Sequence, residues 1–332
     1  MTGMAVGSMS ASAGTQKDEA HTARKNKRHV WKVLIGVAAV ALAAGLLYRT
    51  LSQYSFDEIA ASIRSIPLHR LAFAGVFAAM SYVSLTFFDY LGVRYVKRSL
   101  PYRNVALASF TSLSMGHSIG FAGLSSGAIR YRYYERWGLK AGDVAKIVLF
   151  CGTTVALGLM VLGGLALLIR PDLASGMTKL SEPIMIAIGL LLLSLAAGYV
   201  AAAAFIRKPL KIKSWAIEMP PLRLALGQIA IGTINFAFVA ACLHQVLLAA
   251  AEVDYLETAA AYVIANTLTM LTHVPGGLGV IESTVIYLVP GKNLIGPLLV
   301  FRVVYFLAPL ALGLVSFAIS EATIRRRKRM SR

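Results

Sequence analysis

The sequence predicts an all-α integral membrane protein with six full transmembrane helices, two re-entrant broken segments and an inverted-topology repeat. Three observations carry that expectation. Hydrophobic residues make up 57% of the 332 residues, and several apolar runs reach the ~20 residues a helix needs to cross a bilayer. Two other apolar stretches are interrupted by small and helix-breaking residues: GHSIGFAGLSSG from Gly116 and THVPGGLGVIE from Thr272. Broken backbone at membrane depth is tolerated where protein or a wet cavity covers it, and paired breaks mark transporter sites. Third, the chain matches itself when slid along its own length.

Residues 1–29 form a Ser/Ala/Gly-rich, then basic, tail without periodicity, expected to be disordered. Trp31 to Tyr48 is the first span, with a cleaved leader peptide as the competing reading. Within the linker 49–70, Ile59, Ile63 and Ile66 share one face of a short amphipathic helix at the membrane interface. Leu71–Val96 is the second span, and Val105–Leu124 the first broken segment, leading into the Arg/Tyr-rich stretch 126–139. Val144–Ile169, Pro183–Ile206 and Leu224–Ala250 are the third to fifth spans. Thr258–Val289 enters and leaves around Pro275-Gly276-Gly277, and Asn293–Ile319 is the last span, followed by RRRKRMSR.

The formal charge of +18 does not point to nucleic acid, because the basic residues sit between and beside spans. If both broken segments return to the side they left, one face carries 26 of the Lys and Arg residues and the other carries six. The positive-inside rule then places both termini in the cytoplasm. The two cysteines, Cys151 and Cys242, lie in apolar spans and offer neither a disulfide framework nor a metal motif.

At an offset of 156 residues, HSIGFAG (117–123) falls on HVPGGLG (273–279), both reading HxxGxxG, and Ser126 falls on Glu282. The division this implies is a basic tail 1–29, a first repeat 30–182, a second, inverted repeat 183–324 and a basic tail 325–332. Three spans per half is an odd number, so the second half must be inverted relative to the first.

Ionisable groups in membrane-depth segments are costly and by default functional. Asp89, Glu282 and Arg302 are the clearest, with a structural ion pair as the competing role for Glu282 and Arg302. Arg130 and Arg132 suit phosphate, which a planar guanidinium grips better than an ammonium. Two residues apart, they cannot share a helix face, whereas Arg132 and Arg136 can. Tyr131 belongs to a headgroup-level aromatic belt, and His117 and His273 are expected to hydrogen-bond on the pore side. The expected backbone breaks are Gly120, Gly123, Gly127, Pro275, Gly276, Gly277 and Gly279. No catalytic triad spacing, Walker loop or HExxH occurs, so no catalytic residue, metal or cofactor is assigned.

The sets FFDYLGVRYV (87–96), SGAIRYRYYERWGL (126–139), HVPGGLGVIE (273–282) and FRVVYFLAP (301–309) resemble the membrane domain of lysylphosphatidylglycerol synthases and the stand-alone YbhN-like inner-membrane proteins. The resemblance covers most of the chain from the second span onward. It implies translocation of an aminoacylated phosphatidylglycerol or related phospholipid between leaflets of a bacterial inner membrane. It also adds Tyr305 to the site. Full synthases continue into a soluble aminoacyl-transfer domain, so synthesis is not carried over and a separate aminoacyl-lipid synthase becomes an expected partner. A homo-oligomer is compatible with this reading. A membrane-embedded enzyme acting on a lipid headgroup, or an ion-coupled transporter of a soluble solute, are the alternatives.

Overall fold

A computed structural model describes residues 56–330 apart from 120–121, 179, 207–209, 213–214, 290 and 292–293. The expected first span, the N-terminal tail and the Gly120 break therefore lie outside the described residues. The described residues begin with the amphipathic helix α1 (Phe56–Ser65), whose partly buried Ile63 faces the core while Arg64 is exposed. Next come α2 (Leu68–Tyr95), α3 (Tyr102–Ile119), α4 (Ala122–Tyr134), a 3₁₀ turn at Glu135–Trp137 and α5 (Ala141–Ile169). A short α6 (Pro171–Thr178) leads into α7 (Glu182–Phe205). The following loop carries a small antiparallel hairpin, β1 (Leu210–Ile212) with β2 (Trp215–Ile217). Then follow α8 (Leu222–Leu247), α9 (Tyr255–Thr272), a 3₁₀ turn at Pro275–Gly277, α10 (Val280–Leu288), α11 (Ile295–Arg302), a π-helical turn at Val303–Leu307 and α12 (Ala308–Met330).

Five helical stretches among the described residues are long and apolar enough to cross a membrane: Leu68–Tyr95, Ala141–Ile169, Glu182–Phe205, Leu222–Leu247 and Ile295–Thr323. They are the second to sixth expected spans, with ends moved by a few residues. The fold is an all-α integral membrane fold. The basic C-terminal stretch continues the last helix as far as Met330.

The order and lengths of the elements repeat. The 28 residues of α2 are answered by the 26 of α8, and α3 and α9 each have 18. The 29 residues of α5 are answered by the 29-residue span Ile295–Thr323. Packing is reciprocal as well. At the centre, α2 and α8 make the most extensive contact, α5 of the first set packs on α9 of the second, and α12 packs on α3. Such exchange of equivalent surfaces is what a pseudo-two-fold arrangement produces.

Small residues permit the closest crossings, as expected where helices cannot rely on hydrophobic burial to associate. A Cβ on Gly158 of α5 would stand 2.4 Å from the carbonyl carbon of Gly232 in α8, so only glycine fits there. One turn away, Gln228 donates to Phe150 O (3.0 Å) and Thr154 Oγ1 (3.1 Å) and accepts from Tyr199 Oη (2.6 Å), joining α5, α7 and α8.

The loops sort to two ends. Tyr95 Oη donates to Glu218 O (2.6 Å), Lys97 pairs with Glu218 (3.5 Å) and Arg98 with Asp143 (3.2 Å), gathering loops from the strongly basic set. At the other end Arg70 donates to Gln245 Oε1 (3.1 Å), and α1 packs on α11.

Candidate functional site

Each broken segment is a pair of helices packed side by side: α3 with α4, and α9 with α10. In the first pair the close approach is at Gly116, where a Cβ would lie 2.8 Å from Cβ of Ser126. The sequence expectation for Gly123 and Gly127 needs correction. Both lie inside α4, which runs unbroken from Ala122 to Tyr134. Gly lowers helix propensity but does not forbid a helix when neighbours hold it. The Arg/Tyr-rich stretch up to Tyr134 likewise belongs to α4, which packs along α3, and it continues into the 3₁₀ turn Glu135–Trp137.

In the second pair the break stands where it was expected. His273 caps α9 with φ 54°, and Gly276, Gly277 and Gly279 follow at φ 59°, 60° and 77°. Three glycines in the left-handed region within four residues let the chain reverse without the Cβ clash that other residues would meet. The end of the first pair reaches this turn, since α3 packs against Pro275–Gly277. The two broken segments therefore meet.

Asp89 and Arg130 are brought together and buried, at 0% and 2% side-chain exposure. Asp89 Oδ1 accepts from Arg130 Nε (2.8 Å) and Tyr134 Oη (2.9 Å), and Oδ2 from Arg130 Nη2 (2.8 Å) and Ser109 Oγ (2.8 Å). Four donors match the four acceptor positions of a carboxylate. Arg130 Nη1 donates onward to Ser126 Oγ (2.7 Å). The sequence points Arg130 to phosphate and marks Asp89 as a costly ionisable group at membrane depth, and here each holds the other.

Glu282 and Arg302 form the second pair, with Arg302 buried and Glu282 partly buried, at 5% and 12% side-chain exposure. Arg302 Nε and Nη2 fork onto the two carboxylate oxygens, the Nη2 bond measuring 2.7 Å. Nη1 donates to Gly276 O (2.8 Å) and Nη2 to Gly277 O (2.9 Å), so the same guanidinium holds the turn. Glu282 Oε2 also accepts from Gly279 N–H (2.9 Å), closing the start of α10. Ser126 and Glu282, which coincide when the halves are superposed by sequence, both accept from an arginine.

The remaining residues occupy separate places. Arg132 forks onto Glu321 of α12 (3.0 and 2.6 Å), and Arg136, one turn further, reaches the same carboxylate. Tyr131 donates to Glu135 (3.1 Å). Tyr305 is buried in the π-helical turn, its hydroxyl 2.9 Å from Ser81 Oγ, which donates to Asn235 Oδ1 (2.8 Å). His117 lies beside the ring of Tyr82, with centroids 6.3 Å apart. His273 is exposed, its Nδ1 3.0 Å from Leu271 O. Among the described residues no three His, Cys, Asp or Glu side chains come together as a metal-holding group.

Sequence reasoning missed Glu321 as an arginine partner and Ser109 and Tyr134 as partners of Asp89. Tyr134, one turn after Arg130, was the one readable signal. Glu321 lies 189 residues from Arg132, a pairing that no local spacing could reveal.

The spans and their packing define a polytopic, all-α membrane protein. Residues 34–313 match the model of the lysylphosphatidylglycerol synthase TM region family, and the chain belongs to that family. A protein of Synechocystis sp. carrying the name "Uncharacterized protein slr0712" is 28% identical over 312 residues, covering 93% of this chain and 97% of the relative. Inner membrane protein YbhN of Escherichia coli is 26% identical over 287 residues, covering 82% and 86% respectively.

Proposed function

We propose that the chain translocates a phospholipid, an aminoacylated phosphatidylglycerol or a related lipid, between the leaflets of a bacterial inner membrane. The observation that carries this reading is the meeting of α3 with the Pro275–Gly277 turn. It puts the two broken segments of two matching halves at one junction, where secondary transporters place their substrate sites. The family and the name of the Escherichia coli relative support the membrane and the lipid class.

The chemistry follows from ion-pair exchange. An aminoacylated phospholipid offers a phosphate and an amine, the same charges that Arg302 and Glu282 offer each other. A headgroup arriving at the turn exchanges partners with them: guanidinium to phosphate as a bidentate fork, carboxylate to amine. No net charge is left uncompensated during the exchange, which keeps the cost of a buried ion low. Asp89 and Arg130 hold the first hairpin in shape beside it, and the 26-to-six charge split supports cytoplasmic termini.

The test uses the purified chain in vesicles with a labelled aminoacyl-phosphatidylglycerol in one leaflet. Leaflet exchange of the intact lipid, reduced in the Glu282→Gln variant, is the expected result. A chemically altered lipid would establish the enzyme reading instead, and neither exchange nor alteration would remove the lipid assignment. For orientation, a cysteine at Ser65 should label from outside intact cells and one at Lys140 should not. External labelling at Lys140 would overturn the re-entrant topology.

A further inference from the structure

One face of α2 carries Phe73, Val76, Met80, Val83 and Phe87, all exposed, at alternating steps of three and four residues. The next positions in that series are Tyr90 and Arg94. The steps keep all seven side chains on one helical stripe. From Phe73 to Phe87 it runs about 21 Å at the helical rise, more than the ~15 Å hydrocarbon depth of one leaflet. The opposite face, with Ala74, Ala78, Ser81, Tyr82, Leu85 and Asp89, is buried.

The stripe ends in a built group at the basic end of the molecule. Tyr102, the first residue of α3, stacks at a tilt on Phe87 (5.3 Å between centroids) and edge-on against Tyr90 (5.7 Å). Its hydroxyl is fixed 2.7 Å from Thr86 Oγ1. The Arg94 guanidinium sits 4.6 Å from the Tyr90 ring centroid and donates to its hydroxyl. Arg98 and Arg103 are exposed nearby in sequence. Arg130, Arg132, Arg136 and Arg302 are each engaged by a carboxylate. Arg94 is held instead by an aromatic ring and a phenol, which orient a guanidinium without neutralising it.

We propose that this stripe is a docking site for an anionic phospholipid of the leaflet at the basic end. Its phosphate lies on Arg94, its glycerol region against Phe87, Tyr90 and Tyr102, and an acyl chain along Phe87 to Phe73. Charge complementarity fixes the occupant. The group offers positive charge, aromatic edges and an apolar track in the order that headgroup, interface and tail present themselves. The site does not depend on lipid translocation, because it needs only a membrane-embedded chain.

Native mass spectrometry of the detergent-solubilised full chain, with equimolar phosphatidylglycerol and phosphatidylcholine, tests this. The expected result is preferential retention of phosphatidylglycerol. That preference should fall about five- to tenfold in Arg94→Gln, the scale of one net hydrogen bond at an exposed site. It should hold in Arg223→Gln, an exposed arginine at the start of α8. Arg94→Lys keeps the charge but loses the fork, so an intermediate ratio is expected and serves as a second reading of the same position. Equal retention of the two lipids, or an unchanged ratio in both Arg94 variants, would overturn the site.

Discussion

The two halves hold their broken segments by different means. In the first, Asp89 and Arg130 are closed off and hold each other through their side chains, and Ser109, Ser126 and Tyr134 complete a network joining α2, α3 and α4. In the second, Arg302 reaches Glu282 and two backbone carbonyls of a turn with three left-handed glycines. Around that turn the surface is more open, with His273, Leu271 and Gly279 exposed. A side-chain network inside three packed helices opens only when the helices separate. A guanidinium on carbonyls of a glycine turn releases when that turn alone rearranges, which needs less of the fold to open. This contrast predicts that the first hairpin behaves as the frame and the second as the moving part.

The sharpest way to break this comparison is at the first pair. Asp89→Asn leaves Arg130 buried beside a neutral partner, and Arg130→Gln leaves Asp89 with two of its four donors gone. Either should lower the stability of the purified protein by about 3–5 kcal/mol, read as a large fall in Tm in detergent. Combining Asp89→Asn with Arg130→Gln should recover much of the loss, because no uncompensated charge remains. If the single variants melt like the parent, the first hairpin is not the frame.

The second pair should give a smaller shift in stability and a larger one in transport. Glu282→Gln leaves Arg302 its two carbonyl partners, so the loss should be about 1–3 kcal/mol. Lipid exchange should fall at least tenfold by ion-pair exchange, and adding Arg302→Gln should not restore it. Restoration of both stability and exchange by the double variant would make the pair purely structural. Gly277→Ala probes the same turn. Its Cβ would lie 2.8 Å from Thr269 Oγ1 at a φ of 60°, so a loss of about 1–3 kcal/mol is expected with the charges intact. A larger effect there than at Asp89 would reverse the assignment of frame and moving part.

How much of this was legible in the sequence differs between the same two regions. Span positions follow from apolar length, and five of the six expected spans stand within a few residues of helices. The Pro275–Gly279 break was readable because Pro and clustered Gly have fixed backbone consequences. The first break was placed too broadly. Gly123 and Gly127 looked like interruptions, but α4 absorbs them while its neighbour α3 packs closely enough for Gly116 to meet Ser126. Charge partners were the least legible. Asp89 with Arg130 spans 41 residues, and Arg132 with Glu321 spans 189. The cost of a buried charge says that a partner must exist, but not which residue supplies it.

The smallest expected effect lies at Arg132, and it separates anchoring from recognition. Arg132 and Glu321 keep 19% and 17% side-chain exposure, and Arg136 shares the same carboxylate. Lysine at 132 keeps the charge, the topology bias and one contact to Glu321, but loses the second arm of the fork. A partly exposed pair is worth little, and a third charge backs it up, so Arg132→Lys should change stability by under about 1 kcal/mol. Membrane insertion and orientation should hold. Lipid exchange is the discriminating readout. If Arg132 takes the headgroup phosphate at the basic end as the lipid enters or leaves, exchange should fall severalfold in Arg132→Lys while Tm barely moves. Arg136→Lys, beside the same glutamate, then serves as the internal control, and it should have the weaker effect because Arg136 makes a single contact rather than a fork. Equal exchange in the parent and in both lysine variants would leave Arg132 as a clamp between α4 and α12, and would confine headgroup recognition to the turn held by Arg302.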